Sequence, residues 1–110
     1  MEFSTEQRDT ALVLTVKGRM DAVTAPEFEN ECQTHIDAGT TTIVADMSGL
    51  EFISSAGLRA ILSSAKRLKA AGGKMVFCNL SGMVQEVFQV SGFSSMFPVT
   101  GSVDEAMEKV

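Results

Sequence analysis

The hydrophobic pattern switches between a period of two and a period near four along the chain, and each switch marks the edge of an element. EFSTEQ (2–7) and ALVLTVKG (11–18) predict two strands joined by a tight turn at Arg8 to Thr10. In the second, Leu12, Leu14 and Val16 share one face and Val13, Thr15 and Lys17 the other, the pattern of a half-buried strand. Gly18 ends it, and the loop RMDAVTAP follows. Thr24 is placed to cap a helix, with Pro26 early in the first turn and Glu27 three residues on, the spacing of a capping box. That helix runs to about Ala38, where Gly39 supplies the stop, and Phe28, Cys32 and Ile36 line one side of it.

TTIVADM (41–47) predicts a third strand, apolar enough in its middle to be covered on both faces, with SGLEF as the loop after it. The strongest helix runs from about Ser55 to Ala71. Leu58, Ile61, Leu62, Ala65 and Leu68 form its apolar stripe, and Lys66, Arg67 and Lys69 collect near its C-terminus, where the helix dipole favours cations. Gly72 and Gly73 end it. KMVFCNL (74–80) predicts a fourth strand, and Ser81 caps a helix near 82–91 with Met83, Val87 and Val90 on one side. MFPV (96–99) suits a short edge strand, where Pro98 is tolerated, and Ser102 opens a last helix, VDEAMEKV. The order β-β-α-β-α-β-α-(β)-α implies parallel pairs joined by right-handed crossovers, in a sheet made mixed by the opening hairpin.

Composition narrows what such a fold can do. At 110 residues, 45% apolar and 21% charged, the chain has the size and core of one ordered domain, spanning 1–110. A net charge of −5 with nine scattered basic residues argues against nucleic acid and against anionic membrane. Cys32 and Cys78 lie far apart in sequence with no CxxC, which suits two buried, reduced thiols better than a zinc site or a disulfide framework. No signal peptide and no apolar run near 18 residues is present, so the expected location is the cytoplasm, without membrane insertion. No cofactor and no metal ligand cluster is expected.

The candidate chemistry gathers in three loops at strand ends. One carries Asp21 and Thr24, one Asp46 and Ser48, and the third is ISSAG (53–57), opening the second long helix. Each has a plain structural reading: serines cap helices, and loop aspartates accept backbone hydrogen bonds. A serine hydrolase fits poorly. ISSAG has Ile53 where a GxSxG elbow needs its first glycine, and the single histidine, His35, sits upstream on the first helix. A phospho-accepting receiver would need a Lys after the fourth strand, which ends in CNLSG instead. The reading that uses most of these residues is a modification switch. A hydroxyl at a helix start faces the positive end of the dipole, and its neighbours Ile53, Ala56, Gly57 and Leu58 are small or apolar enough for a partner to dock closely. If Ser54 is the N-cap, its oxygen is turned inward and Ser55, at the first helical position, projects outward.

VKGRMDAVTAPEFE (16–29), IVADMSGLEFISSAGLRAIL (43–62) and GGKMVFCNL (72–80) together resemble the STAS domain, and within it the bacterial anti-sigma factor antagonists. The resemblance implies a single α/β domain, a mixed four- to five-stranded sheet and about four helices mainly on one side. It implies a non-enzymatic regulator of transcription that works by partner switching. The unmodified protein would bind a serine-kinase anti-sigma factor; that kinase, using its own ATP, would phosphorylate it and end the association; a metal-dependent serine phosphatase would reverse this. Carried over position by position, the acceptor falls on Ser55, with Asp21 and Asp46 at the acidic positions near it. Where well-known members have an acidic residue just before the acceptor, this chain has Ser54, which stands as the alternative acceptor. A STAS interaction or scaffold module that is never phosphorylated is the other open reading, with a serine hydrolase a distant third. A monomer is expected for the free protein.

Overall fold

A computed structural model describes all 110 residues. Five strands, β1 (Glu2–Arg8), β2 (Ala11–Met20), β3 (Thr42–Ile53), β4 (Lys74–Cys78) and β5 (Val99–Thr100), form one sheet in sequence order. β1 pairs antiparallel with β2, and every later pair is parallel. The helices are α1 (Ala25–Asp37), α2 (Ser55–Ala70), α3 (Gly82–Val90), α4 (Phe93–Met96) and α5 (Val103–Met107). The fold is the expected α/β arrangement, with α4 as a one-turn addition; it takes Met96, so the last strand is Val99–Thr100 in place of the expected 96–99.

Strand order explains where the helices lie. From β2 to β5 each strand is added on the same side of the last. Right-handed crossovers then put every connecting helix on one face. Accordingly Phe28 and Cys32 of α1, Ile61 and Leu68 of α2, Val84 and Phe88 of α3 and Phe93 of α4 share one core of 20 buried residues with the sheet. Under α3 and α4, Phe77, Phe88, Phe93 and Phe97 pack edge to face with centroids 5.2–5.5 Å apart. After β5 no further strand follows, so α5 is free to cross the opposite face. Its Ala106 closes a second, smaller core over Ala11, Val13, Val44, Val76 and Cys78. β2 is therefore covered on both sides over Ala11–Leu14, and the half-buried expectation is corrected there.

Four further expectations change. SGLEF is not a loop: β3 continues through it to Ile53. The registers Thr15↔Asp46, Lys17↔Gly49, Gly18↔Leu50 and Arg19↔Phe52 place two extra residues in β3, one at each of two bulges. Bulges break the alternation, so Met47, Leu50 and Ile53 are buried at a spacing of three, a period that reads as irregular in sequence. The buried stripe of α2 is Gly57, Ala60, Ile61, Ser64, Ala65 and Leu68, with Leu58 and Leu62 only partly covered. In α3 the core takes Val84 and Phe88; of the expected stripe, Met83 and Val90 turn outward and Val87 is only partly covered. Ser81 precedes α3 without a side-chain cap, whereas Ser102 accepts the Glu105 N–H at 3.1 Å, as an N-cap should.

No helix is long and apolar enough to cross a membrane. Cys32 and Cys78 are both free and buried, in different cores. Burial pushes each thiol up to about 12, with nearby carboxylates (Glu31 and Glu29 for Cys32, Asp46 for Cys78) adding to the rise. At about pH 8 only about one molecule in ten thousand would carry either thiolate. Ellman's reagent should therefore titrate no thiol in the native protein and both after unfolding in guanidinium; rapid native labelling would mean that a core opens locally.

Candidate functional site

β4 pairs with β3 only as far as Asp46↔Cys78, and β1 pairs with β2 only as far as Glu2↔Lys17. Beyond those points β2 and β3 continue together as a two-stranded ribbon ending at Met20 and Ile53. Arg19 and Phe52 face each other across it, the guanidinium carbon 4.2 Å from the ring centroid. The two buried end residues, Met20 and Ile53, lead directly into the two loops that carry the candidate residues.

The ends of the ribbon are fastened to each other and to α2. The Ser54 N–H donates to the Met20 carbonyl at 2.9 Å. Ser54 adopts the extended conformation of an N-cap, and its Oγ accepts the Gly57 N–H at 3.3 Å. The first turn of α2 then lies against the end of β2. A Cβ on Gly57 would sit 2.8 Å from the Met20 carbonyl oxygen and 2.7 Å from a side-chain carbon of Ile53, so only glycine fits. Ser55 is the first helical residue and is exposed, as expected if Ser54 caps. Ala56 and Leu58 are half-buried beside it.

Asp21 follows Met20 and organises the neighbouring loop. Its Oδ1 accepts the N–H groups of Val23 at 3.0 Å and Thr24 at 3.1 Å and the Thr24 hydroxyl at 3.2 Å. These bonds, led by the Thr24 amide, hold its carboxyl below the usual range, assisted by Arg19. Thr24 precedes α1 but does not form the expected capping box. Its backbone is already helical; its Oγ1 accepts the Asp21 N–H at 2.9 Å and shares its single proton between the Arg19 carbonyl at 2.7 Å and Asp21 Oδ1 at 3.2 Å. The loop is tied back to the ribbon in place of capping the helix.

The second aspartate lies elsewhere. Asp46 and Ser48 are strand residues, at the point where β4 leaves β3. Asp46 Oδ1 accepts the Ser48 N–H and the Asn79 side-chain amide, both at 3.0 Å, and Asn79 holds a left-handed backbone, φ +60°, as it turns off β4. From Thr15, opposite Asp46, to Met20, opposite Ile53, is five strand positions, about 16 Å. The structure thus brings Asp21, Thr24, Ile53, Ser54, Ser55, Ala56, Gly57 and Leu58 together and leaves Asp46 and Ser48 as a separate junction. His35 pairs with Glu31 at 2.8 Å, ten residues into α1 and about 15 Å up the helix from its start. No three His, Cys, Asp or Glu side chains are grouped so as to hold a metal ion.

Sequence reasoning missed the apolar rim of the site. Val23, at the tip of the Asp21 loop, is 82% exposed and Val90 is 91% exposed. Leu58, Val87 and Val90 line one shallow cleft between α2 and α3. The available signal was a valine in an otherwise polar loop, and a second apolar stripe on α3 competing with Val84 and Phe88 for the core.

The STAS domain family model matches residues 2–106, and the chain belongs to that family. It is 38% identical to BtrV of Bordetella bronchiseptica, itself an inferred anti-sigma factor antagonist, over 96% of this chain and 91% of that protein. Among solved structures it is similar to an anti-sigma factor antagonist from Mycobacterium paratuberculosis, at 25% identity and a TM-score of 0.88, covering 99% of this chain and 92% of that one. It is also similar to the anti-sigma factor antagonist SpoIIAA in its unphosphorylated form, at 26% identity and a TM-score of 0.82, covering 98% and 95%. The phosphorylated form of that Bacillus protein matches at 25% identity and a TM-score of 0.74, covering 98% of each chain.

Two consequences of the geometry can be measured. Gly57→Ala gains roughly 1 kcal/mol of helix propensity but pushes a methyl into the Met20 carbonyl, an overpacking cost of about 1–3 kcal/mol. Urea unfolding should show a net loss of stability; an unchanged or more stable variant would mean the contact is slack. Asp21 has a folded pKa below its ordinary 3.8, so its contribution to stability is complete above that value and is lost as pH falls through the lower, folded value. The melting-temperature gap between wild type and Asp21→Asn should be widest near neutrality and close on acidification below about pH 4. A gap independent of pH would show that the charge adds nothing.

Proposed function

We propose that this protein is an anti-sigma factor antagonist whose binding to an anti-sigma factor is switched by phosphorylation of Ser55. The single observation that carries the reading is the division of labour in the serine pair: Ser54 caps α2, and Ser55 stands exposed beside it on an apolar-rimmed surface. The similarity to antagonists over nearly the whole chain supports the same reading, as does the existence of SpoIIAA in both phosphorylated and unphosphorylated forms.

In the unmodified state the anti-sigma factor docks over Val23, Ala56, Leu58 and the exposed edge of α3, while Ile53, buried beneath, supports that surface from the core. The anti-sigma factor is itself a serine kinase and supplies the ATP; this chain supplies only the hydroxyl and performs no catalysis. The Ser55 oxygen attacks the γ-phosphorus, ADP leaves, and the hydroxyl proton passes to a base of the kinase. A metal-dependent serine phosphatase restores the hydroxyl. The cycle runs in the cytoplasm on a protein that is monomeric when free.

The helix end tolerates the product. A phosphate on Ser55 faces the free N–H groups and positive dipole of a 16-residue helix, and Arg59 lies one turn along on the same exposed side. The fold therefore survives a charge of roughly −1.5 to −2. Docking does not. Moving a complex from about 99% to about 1% bound takes roughly 5.5 kcal/mol. One exposed ion pair supplies at most about 1 kcal/mol, whereas a doubly charged group enclosed in an interface costs several. Asp21 and Thr24 shape the loop beside the acceptor, and Asp46 and Ser48 hold the sheet junction behind the ribbon.

The reading is tested by incubating the protein with its kinase anti-sigma factor and ATP, then locating the phosphate by mass spectrometry. Phosphate is expected on Ser55, and Ser55→Ala should keep the partner while resisting modification. Ser55→Asp should bind at least about tenfold more weakly, a change of about 1.4 kcal/mol. Phosphate on Ser54, or none at all, would overturn the site assignment.

A further inference from the structure

Charge is segregated in this acidic protein. Between Phe52 and Gln85 there is no Asp or Glu, and five of the nine basic residues, Arg59, Lys66, Arg67, Lys69 and Lys74, fall in that stretch. Two of them, Lys66 and Lys69, bring their charge to one groove. Lys66 and Lys69 of α2 and Lys74, the first residue of β4, line a groove of about 380 Å³ beside Leu62, Met75 and Phe97. No carboxylate lines it. Met96, at the end of α4, stands at its mouth, 56% exposed.

The groove exists because the sheet edge is incomplete there. β5 pairs only with Phe77 and Cys78, so Lys74 to Val76 of β4 have no strand neighbour on that side. The segment Met96–Pro98 passes by instead, joined to the sheet where the Phe77 N–H donates to the Pro98 carbonyl at 2.9 Å. Phe97 is pinned by Phe77 and Phe93. The Lys74 charge lies on the other face of the sheet: its side chain alternates with Met75, shares the α5 side with Val76 and Cys78, and its ammonium donates to the Lys109 carbonyl at 2.8 Å. A lysine at a sheet edge can serve simply to block pairing with another chain. That role accounts for Lys74, but not for Lys66 and Lys69, which belong to a helix and lean over the same apolar floor.

We propose that this groove binds a small, single-headed amphipathic anion: one carboxylate or phosphate on an apolar tail of roughly ten carbons. The volume is in the range of small-ligand pockets, about 300–1,000 Å³, and far too small for a stable protein interface. Leu62, Met75, Met96 and Phe97 supply an apolar bed that methionine flexibility can adapt to a tail. Two ammonium groups at one rim, those of Lys66 and Lys69, match one anionic head and repel a cationic one. The site lies on the C-terminal half of α2, away from Ser55, and stands independently of the proposed switch.

Methyl NMR tests it directly, because Met75 and Met96 line the groove and the other five methionines do not. The probes are sodium decanoate, decyl phosphate and uncharged 1-decanol, each titrated into the full-length chain below its aggregation limit. Saturable shifts of the Met75 and Met96 methyls are expected with decanoate or decyl phosphate, and the tighter of the two identifies the head group. Decanol should bind at least about tenfold more weakly. Lys66→Gln with Lys69→Gln should weaken the anion by about tenfold while lowering the unfolding midpoint only slightly, as loss of charge at a helix C-terminus does. Equal binding of decanol, an unaffected double variant, shifts at exposed Met83 as large as those in the groove, or no saturation at all would each overturn the assignment.

Discussion

The carbonyl of Met20 is the point on which the site is built. It ends the β2–β3 ribbon, accepts the Ser54 N–H, and occupies the space that a side chain at position 57 would need. Those two contacts fix the origin and direction of α2. With the origin fixed, Ser54 is committed to the cap and Ser55 to the first helical position, where it is exposed. Asp21, next in sequence after Met20, folds its own loop back over three donors and so stands beside the serines without reaching for them. The hydroxyl of Ser55 is thereby left open to solvent at the start of the helix.

The same ribbon separates the two aspartates. Both serve backbone and amide donors, but they hold different joints: Asp21 the turn into α1, Asp46 the parting of β4 from β3. The bulges that let β3 run past β4 also twist the ribbon out from the sheet. The proposed docking surface is thereby presented on a projecting end, rimmed by Val23 and the exposed edge of α3, and the charged groove lies on the opposite half of α2. One helix, free of acidic residues along its length, thus borders two surfaces of different chemistry.

Much of this could be read along the chain. Element order, the opening hairpin, the parallel crossovers and the bounds of α2 follow from local periodicity and from glycine stops, which act over a few residues. The serine pair was legible for the same reason, since capping is a contact between residues three apart. The family resemblance added the position of the acceptor and the class of partner. Less legible was β3 beyond Asp46, where two bulges replace a period of two with a spacing of three and imitate a loop.

What tertiary structure alone decided were choices between locally equivalent options. α3 offers two apolar stripes, and only the shape of the sheet beneath selects Val84 and Phe88 over Met83, Val87 and Val90. β2 reads as half-buried until α5, more than eighty residues later, covers Ala11 and Val13. Thr24 has the sequence of a capping residue, yet the pull of Asp21 and the Arg19 carbonyl draws its hydroxyl away. Periodicity reports which residues can be buried together; which of them are, and which polar atom wins a shared donor, depends on what the rest of the chain brings alongside.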